Sequence, residues 1–214
     1  MSTQPKVAVI GLGNIGKVVA TNFAKSNRNF IAADRDVSKA EQLSKDWSSA
    51  TPTDIASAVK AADIVILSIP FEAINDFKTD FASDLEGKII IDPSNPIAPD
   101  EKGGFKKIIA ADESAGKVNS KSLPTNAKLV KAFGTLGAAS LQNAAFQSPQ
   151  NVLFYATDDA TVNDTVEQLI ADSGFAAVRV GDLNNSIRLE VFGDLHEFGA
   201  LGKTVTVEEA KSKL

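Results

Sequence analysis

The sequence predicts an α/β fold. We expect a Rossmann-like, doubly wound, mostly parallel sheet of about eight strands in one domain spanning 1–214. Three observations predict it. Val7-Ala8-Val9-Ile10 runs straight into Gly11-Leu12-Gly13-Asn14-Ile15-Gly16, and an apolar series at helical spacing follows. Apolar runs such as Ile64-Val65-Ile66-Leu67 and Ile89-Ile90-Ile91 are hydrophobic on both faces, as buried parallel strands must be. Strand and helix patterns alternate nearly to the end, with no linker between them.

The first element is strand, tight turn and helix. This arrangement suits a dinucleotide pyrophosphate resting on a helix N-terminus. Gly11 permits the turn off the strand. Gly13 leaves room for a phosphate, and Gly16 lets the helix pack closely. Taken alone, G-x-G-x-x-G also describes an ordinary strand-to-helix turn. Here an acidic residue follows at about the 20-residue distance that a ribose-binding carboxylate occupies.

That residue is Asp34, at the end of a strand expected over 28–34. There it either accepts the adenosine ribose hydroxyls, favouring NAD and repelling the 2′-phosphate of NADP, or caps a helix over 37–46. Asp34→Ser is then expected to shift preference toward NADP. Arg35 either stacks on adenine or pairs with a 2′-phosphate, and Lys39 either assists or belongs to a solvated face. A short helix over 54–60 is expected, capped by Thr51 or Thr53 with Pro52 near its start.

The strand over 63–70 ends in Ser68-Ile69-Pro70, at the sheet edge where ligands of open α/β folds bind. A plain turn into a helix over 71–82 is the alternative. The strand over 88–92 leads into Pro93-Ser94-Asn95-Pro96, where Asn95 either holds nicotinamide or substrate or braces the turn. Residues 97–122 are polar and read as an insertion or flap, with loop over 99–107 and weak helical signals over 112–122. A strand over 126–133 ends in Ala132-Phe133 and a small-residue stretch in which Thr135 is the polar member to watch. A strand over 151–157, a capped helix over 158–172 ended by Gly174, a strand over 175–180 and a final helix over 183–197 complete the chain; 183–214 form a C-terminal helix and tail.

Composition narrows function. The chain has 214 residues, net charge −5 and no cysteine. The acidic balance argues against nucleic acid or an anionic membrane as the main partner. Without cysteine there is no disulfide framework, thiolate metal site or cysteine nucleophile, and no metal is expected. The lack of cysteine fits an expected cytoplasmic protein, and Met-Ser-Thr-Gln-Pro-Lys has no apolar signal core.

The glycine stretch, Ala33-Asp34-Arg35-Asp36, Leu67-Ser68-Ile69-Pro70, Asp92 to Pro96, Val130 to Phe133 and Gly199-Ala200-Leu201-Gly202 together resemble the F420-dependent NADP reductase family. That family also includes the cytosolic reductase domains of six-transmembrane ferric reductases. The resemblance spans nearly the whole chain and rests on order and spacing. It implies a homodimer with NADP or NAD as cofactor, passing hydride to a small-molecule redox acceptor such as F420 or FMN. It carries cofactor contacts onto Gly11, Leu12, Gly13, Asn14 and Ile15, onto Arg35 and Lys39, and onto Ser68, Ile69 and Pro70. Asn95-Pro96 and Ala132-Phe133 correspond to positions near the nicotinamide. The family commonly has a small hydroxyl residue where this chain has Asp34, a departure that opposes NADP.

Hydride transfer between two bound rings needs no side-chain nucleophile. The single histidine, His196, is the one group titrating near neutrality, and is the candidate proton donor, the alternative being a structural residue. Lys131 and Tyr155 are weaker candidates. Two other functions compete: a small-carbonyl or imine reductase with His196 or Lys131 as acid, and a non-catalytic NAD(P) sensor.

Overall fold

The structure is a computed structural model, and residues 4–214 are described. Its centre is an eight-stranded sheet in the order β10-β9-β8-β5-β4-β1-β2-β3. The strands are β1 Val7–Ile10, β2 Phe30–Ala33, β3 Ala50–Thr53, β4 Ile64–Leu67, β5 Ile89–Asp92, β8 Lys128–Lys131, β9 Val152–Thr157 and β10 Ala176–Arg179. All neighbours are parallel except β8 and β9. The expected Rossmann-like, mostly parallel sheet is the observed one.

Alternate residues of each central strand feed opposite cores. Val7, Val9, Ile64 and Ile66 pack under helices α1 (Asn14–Lys25), α2 (Val37–Ser44), α6 (Ala138–Asn143) and α7 (Asn163–Asp172). Ala8, Ile10, Val65 and Leu67 pack under α3 (Ile55–Ala61) and α4 (Ile74–Asp80). Burial on both faces is why these strands read as unbroken apolar runs. The α1 stripe of Val18, Val19 and Phe23 is fully or nearly fully buried, and Phe23 meets Phe133 edge-on at 6.4 Å.

Strand order reverses between β1 and β4, the place where open α/β sheets bind ligands. Gly11 N–H donates to the Ala33 carbonyl at 2.8 Å, and Ser68 N–H donates to the Ile10 carbonyl at 2.8 Å. These bonds tie the ends of β2, β1 and β4 into one edge.

Several boundaries differ from the sequence reading. Residues 50–53 form β3 rather than the approach to a helix, and Pro52 is tolerated because β3 is an edge strand. Asp54, not Thr51 or Thr53, caps α3, accepting from Ser57 N–H at 2.8 Å. The 71–82 helix begins as a 3-10 turn, Phe71–Ala73, before α4. The 158–172 helix likewise begins with a 3-10 turn, Ala160–Val162. Within 97–122, a hairpin of β6 (Ile97–Pro99) and β7 (Phe105–Lys107) replaces the expected loop, and α5 (Ala115–Ser120) follows. Gly103 and Gly104 turn that hairpin at φ +90° and +79°.

The final helix over 183–197 is not formed. Only Leu183–Arg188 is helical, as a 3-10 segment, and a short α8, Val207–Lys211, comes later. Asn184, Asn185 and Ser186 are weak helix formers. Gly193 then lets the chain fold back, Leu195 N–H donating to the Arg188 carbonyl at 2.9 Å. Among the described residues no helix is long and apolar enough to cross a membrane.

Candidate functional site

The glycine loop opens a cleft of about 440 Å³ at the reversal of strand order. Its walls bring together Gly11, Gly13, Asp34, Arg35, Lys39, Ser68, Ile69 and Pro70, all selected from sequence. The cleft also takes in Phe77 of α4 and Phe81 just after it, whose rings lie 4.7 Å apart, and the acidic Asp76 and Asp80. Sequence reasoning missed these four. The four-residue spacing of the two phenylalanines was the available signal.

The three glycines are glycines for different reasons. Gly11 has φ +85°, a left-handed conformation that side chains avoid, and a Cβ there would strike the Ser68 carbonyl. At Gly16 a Cβ would strike the Gly11 carbonyl and come within 3.0 Å of the Ser68 side chain. Gly13 is unlike both. Its φ is −76°, and a Cβ would meet nothing within 4 Å. The chain itself places no demand for glycine there.

Helix α1 begins at Gly13 with no side-chain cap. Helices α4, α6 and α7 also lack a side-chain cap, whereas α2, α3, α5 and α8 are capped by Asp36, Asp54, Ser114 and Thr206. The N–H groups of Asn14, Ile15 and Gly16 are first-turn donors that no intrahelical carbonyl can reach. Gly13 and Asn14 are exposed, whereas Leu12 is buried in the core. The uncapped end therefore offers backbone donors and a positive dipole to an anion.

At the far end of the cleft lie Asp34, Arg35 and Lys39. Asp34 is not the cap of α2; Asp36 is, accepting from Lys39 N–H. Asp34 Oδ2 accepts from Leu12 N–H at 2.8 Å and from Lys39 Nζ at 2.9 Å. Burial pushes its carboxyl up, but Lys39 and the amides of Leu12 and Asp36 outweigh burial and hold it below the usual carboxylate range. Lys39 is thus in an ion pair rather than on a purely solvated face. The exposed Arg35 guanidinium has neither hydrogen bond nor ion pair among the described residues.

The remaining selected residues gather elsewhere, at the ends of β5 and β8, and do not line the cleft. Asn95 braces its turn: its amide N–H donates to the Gly134 carbonyl at 3.0 Å, and its Oδ1 accepts from Val191 N–H at 2.7 Å. The Pro96 carbonyl accepts from Ile108 N–H at 2.9 Å. Ala132 and Phe133 are buried, and Phe133 turns its ring into the core at φ +65°. Thr135 is buried too, its carbonyl accepting from Glu197 N–H at 3.1 Å.

His196 is not placed as a proton donor to a substrate. Its ring is buried, Nδ1 accepts from Phe198 N–H at 2.9 Å, and Nε2 lies 3.0 Å from the Gly134 carbonyl. A donating Nε2 and an accepting Nδ1 define a neutral imidazole. Burial, partly opposed by the Gly134 bond, lowers its pKa below the ordinary value. Lys131 is buried against Asp92, and Tyr155 donates to Glu167 at 2.6 Å with its phenol held protonated by burial first and Glu167 second. The three side chains nominated as acids are thus each spent inside the protein. No cluster of His, Cys, Asp and Glu suited to a metal occurs among the described residues.

Comparison with known proteins bears on this geometry. Residues 6–96, from β1 through the loop after β5, match the family described as NADP oxidoreductase, coenzyme F420-dependent. The family that the motifs resemble is the family that residues 6–96 match. Its members are NADP-dependent oxidoreductases, the enzyme class to which the sequence pointed. The F420-dependent NADP reductase of Methanocaldococcus jannaschii is 23% identical over 201 residues, 89% of this chain and 90% of that one. The metalloreductase STEAP3 of Rattus norvegicus is 23% identical over 186 residues, 87% of this chain; the chain spans 36% of that longer protein. Among solved structures, the hypothetical protein SMa0349 from Sinorhizobium meliloti superposes with a TM-score of 0.81 at 28% identity, covering 94% of this chain and 95% of its own.

Proposed function

We propose that this protein binds NADP at the glycine loop and moves hydride between it and a planar redox acceptor, a flavin or the deazaflavin F420. The observation that carries the reading is Gly13. It has ordinary φ and open space, yet lacks a side chain, beside an uncapped helix end. The fold gives no reason for glycine there, and a phosphate approaching the backbone gives one. The pyrophosphate of a dinucleotide is the group that fits this reading.

The residues fit that group. Gly13, Asn14 and Ile15 would hold the pyrophosphate through backbone amides. Arg35, left unpaired, would meet the 2′-phosphate, a bidentate geometry suited to guanidinium. Ser68, Ile69 and Pro70 would form the opposite wall. When bound, the nicotinamide supplies a transferable hydride. The chain's own part is orientation and exclusion of water, which is where most of the rate of such a transfer arises. The carbonyl or imine reductase reading loses support because His196 and Lys131 are both buried and bonded.

The test is a calorimetric titration with NADPH and with NADH, each with and without FMN or F420. The reading expects NADPH to bind, and a second ring compound to bind in its presence. Binding of neither dinucleotide would remove it.

A further inference from the structure

The carboxylate of Asp34 stands where an acidic residue is expected to receive ribose hydroxyls, but its hydrogen-bonding capacity is already directed inward. Oδ2 takes two donors, Leu12 N–H at 2.8 Å and Lys39 Nζ at 2.9 Å. Oδ1 faces its own chain, with Asp36 N–H at 3.3 Å. The side chain is 13% exposed, so little of it is left for solvent or ligand.

Each of those bonds fixes something a dinucleotide would use. Leu12 is the middle residue of Gly11-Leu12-Gly13, and its N–H is the loop amide held by a side chain from outside the β1–α1 turn, next to the Gly11 N–H held by the Ala33 carbonyl. Holding it fixes the path of the backbone that carries the donors of Gly13, Asn14 and Ile15. Lys39 comes from α2, one turn in, and the ion pair swings its ammonium toward the cleft instead of toward solvent. The pair is also close to electrically neutral, while Arg35 beside it forms no ion pair of its own among the described residues, Asp76 and Asp80 lying elsewhere on the cleft wall. The three side chains together carry one net positive charge, and a carboxylate masked at 2.9 Å repels a 2′-phosphate much less than a bare one.

We infer that Asp34 is a positioning residue: it acts on a bound dinucleotide through the Leu12 amide and the Lys39 ammonium, not by taking the ribose hydroxyls. This rests on the dinucleotide reading above, and it makes an acidic residue at this position compatible with NADP.

The test separates the two roles with NADH, which has ribose hydroxyls and no 2′-phosphate. Asparagine keeps a carbonyl oxygen able to accept from Leu12 N–H but offers no carboxylate to the ribose; alanine keeps neither. The dissociation constant for NADH is measured on wild type, Asp34→Asn, Asp34→Ala and Lys39→Met. A positioning role gives Asp34→Ala about tenfold weaker binding, the loss of one charge-assisted hydrogen bond, with Asp34→Asn within about threefold of wild type. Asp34→Asn as weak as Asp34→Ala, while Lys39→Met binds NADH like wild type, would show a carboxylate needed at the ribose and would overturn the inference. So would Asp34→Ala indistinguishable from wild type. If wild type bound neither NADH nor NADPH, the dinucleotide reading would fail instead, a result visible before any variant is made.

Discussion

Asp92 and Lys131 are register partners at the ends of β5 and β8, and their side chains meet in an ion pair of 3.2 Å with 0% and 3% exposure. The carboxylate also accepts from Ser94 N–H at 2.8 Å and Asn119 Nδ2 at 2.9 Å, and Lys131 donates to the Ser94 carbonyl at 2.5 Å. A pair so placed anchors the Pro93-to-Pro96 turn to the sheet. Lys131→Met leaves the carboxylate buried without its cation, and about 3 kcal/mol of stability should be lost. Urea unfolding at neutral pH measures this. A loss below about 1 kcal/mol would show that the pair is dispensable to the fold.

Gly13 and Gly16 should separate binding from folding. Gly16→Ala puts a methyl group against the Gly11 carbonyl and the Ser68 side chain, so it should lower the melting temperature and disturb the loop. Gly13→Ala meets open space and should melt within a few degrees of wild type. It should nonetheless weaken NADPH binding by about two orders of magnitude, since a Cβ stands where a phosphate approaches. Thermal melts and calorimetry on the same preparations give both answers.

Arg35→Ser should weaken NADPH far more than NADH. One charge-assisted contact to the 2′-phosphate is worth roughly tenfold or more. The NADPH preference should also fall with added salt in wild type, because Arg35 is exposed, and lose that dependence in the variant. Equal losses for both nucleotides would place Arg35 against the adenine instead.

His196 makes stability depend on pH in a predictable direction. Its folded pKa lies below the ordinary 6.5, burial being the main cause. The unfolded chain therefore binds the proton first as pH falls. The neutral ring's contribution is fully present above 6.5 and is lost as pH falls from there toward the folded value. Urea midpoints at pH 7 and pH 5.5 should show that loss in wild type, and His196→Gln should be less stable at pH 7 with a flatter slope across this interval. Carboxylates such as Glu209, held down to about 2 by Lys203 first and the Thr206 contacts next, act at lower pH and do not obscure it. A steeper acid loss in His196→Gln would contradict the neutral-imidazole assignment.

The glycine loop and the gathering of Asp34, Arg35 and Lys39 with Ser68 to Pro70 at one sheet edge were legible because each is local or follows from the rule that ligands of open α/β sheets bind outside the strand ends. Asp36 capping α2 was within reach, since it stands directly before Val37. What sequence did not show depends on distant contacts. His196 reads as a free titratable group until Gly134, 62 positions away in the chain, takes its Nε2. Asn95 reads as a possible ligand contact until Val191 and Gly134 use both ends of its amide. Strand β3 was hidden by Pro52, whose missing N–H is harmless only at a sheet edge. The unformed last helix was signalled by Gly193, whose Cβ would collide with the Arg188 and Ile187 carbonyls.

The central claim is hydride transfer from a dinucleotide held at Gly13 to a planar acceptor. Its most direct measurement is anaerobic mixing of the protein with NADPH and either oxidised FMN or oxidised F420, following nicotinamide and acceptor absorbance together. The account predicts loss of NADPH matched one-for-one by reduction of one of the two acceptors, and no such transfer with Gly13→Ala at the same nucleotide concentration. Tight NADPH binding with neither acceptor reduced would contradict it, and would leave a protein that holds the dinucleotide without using it.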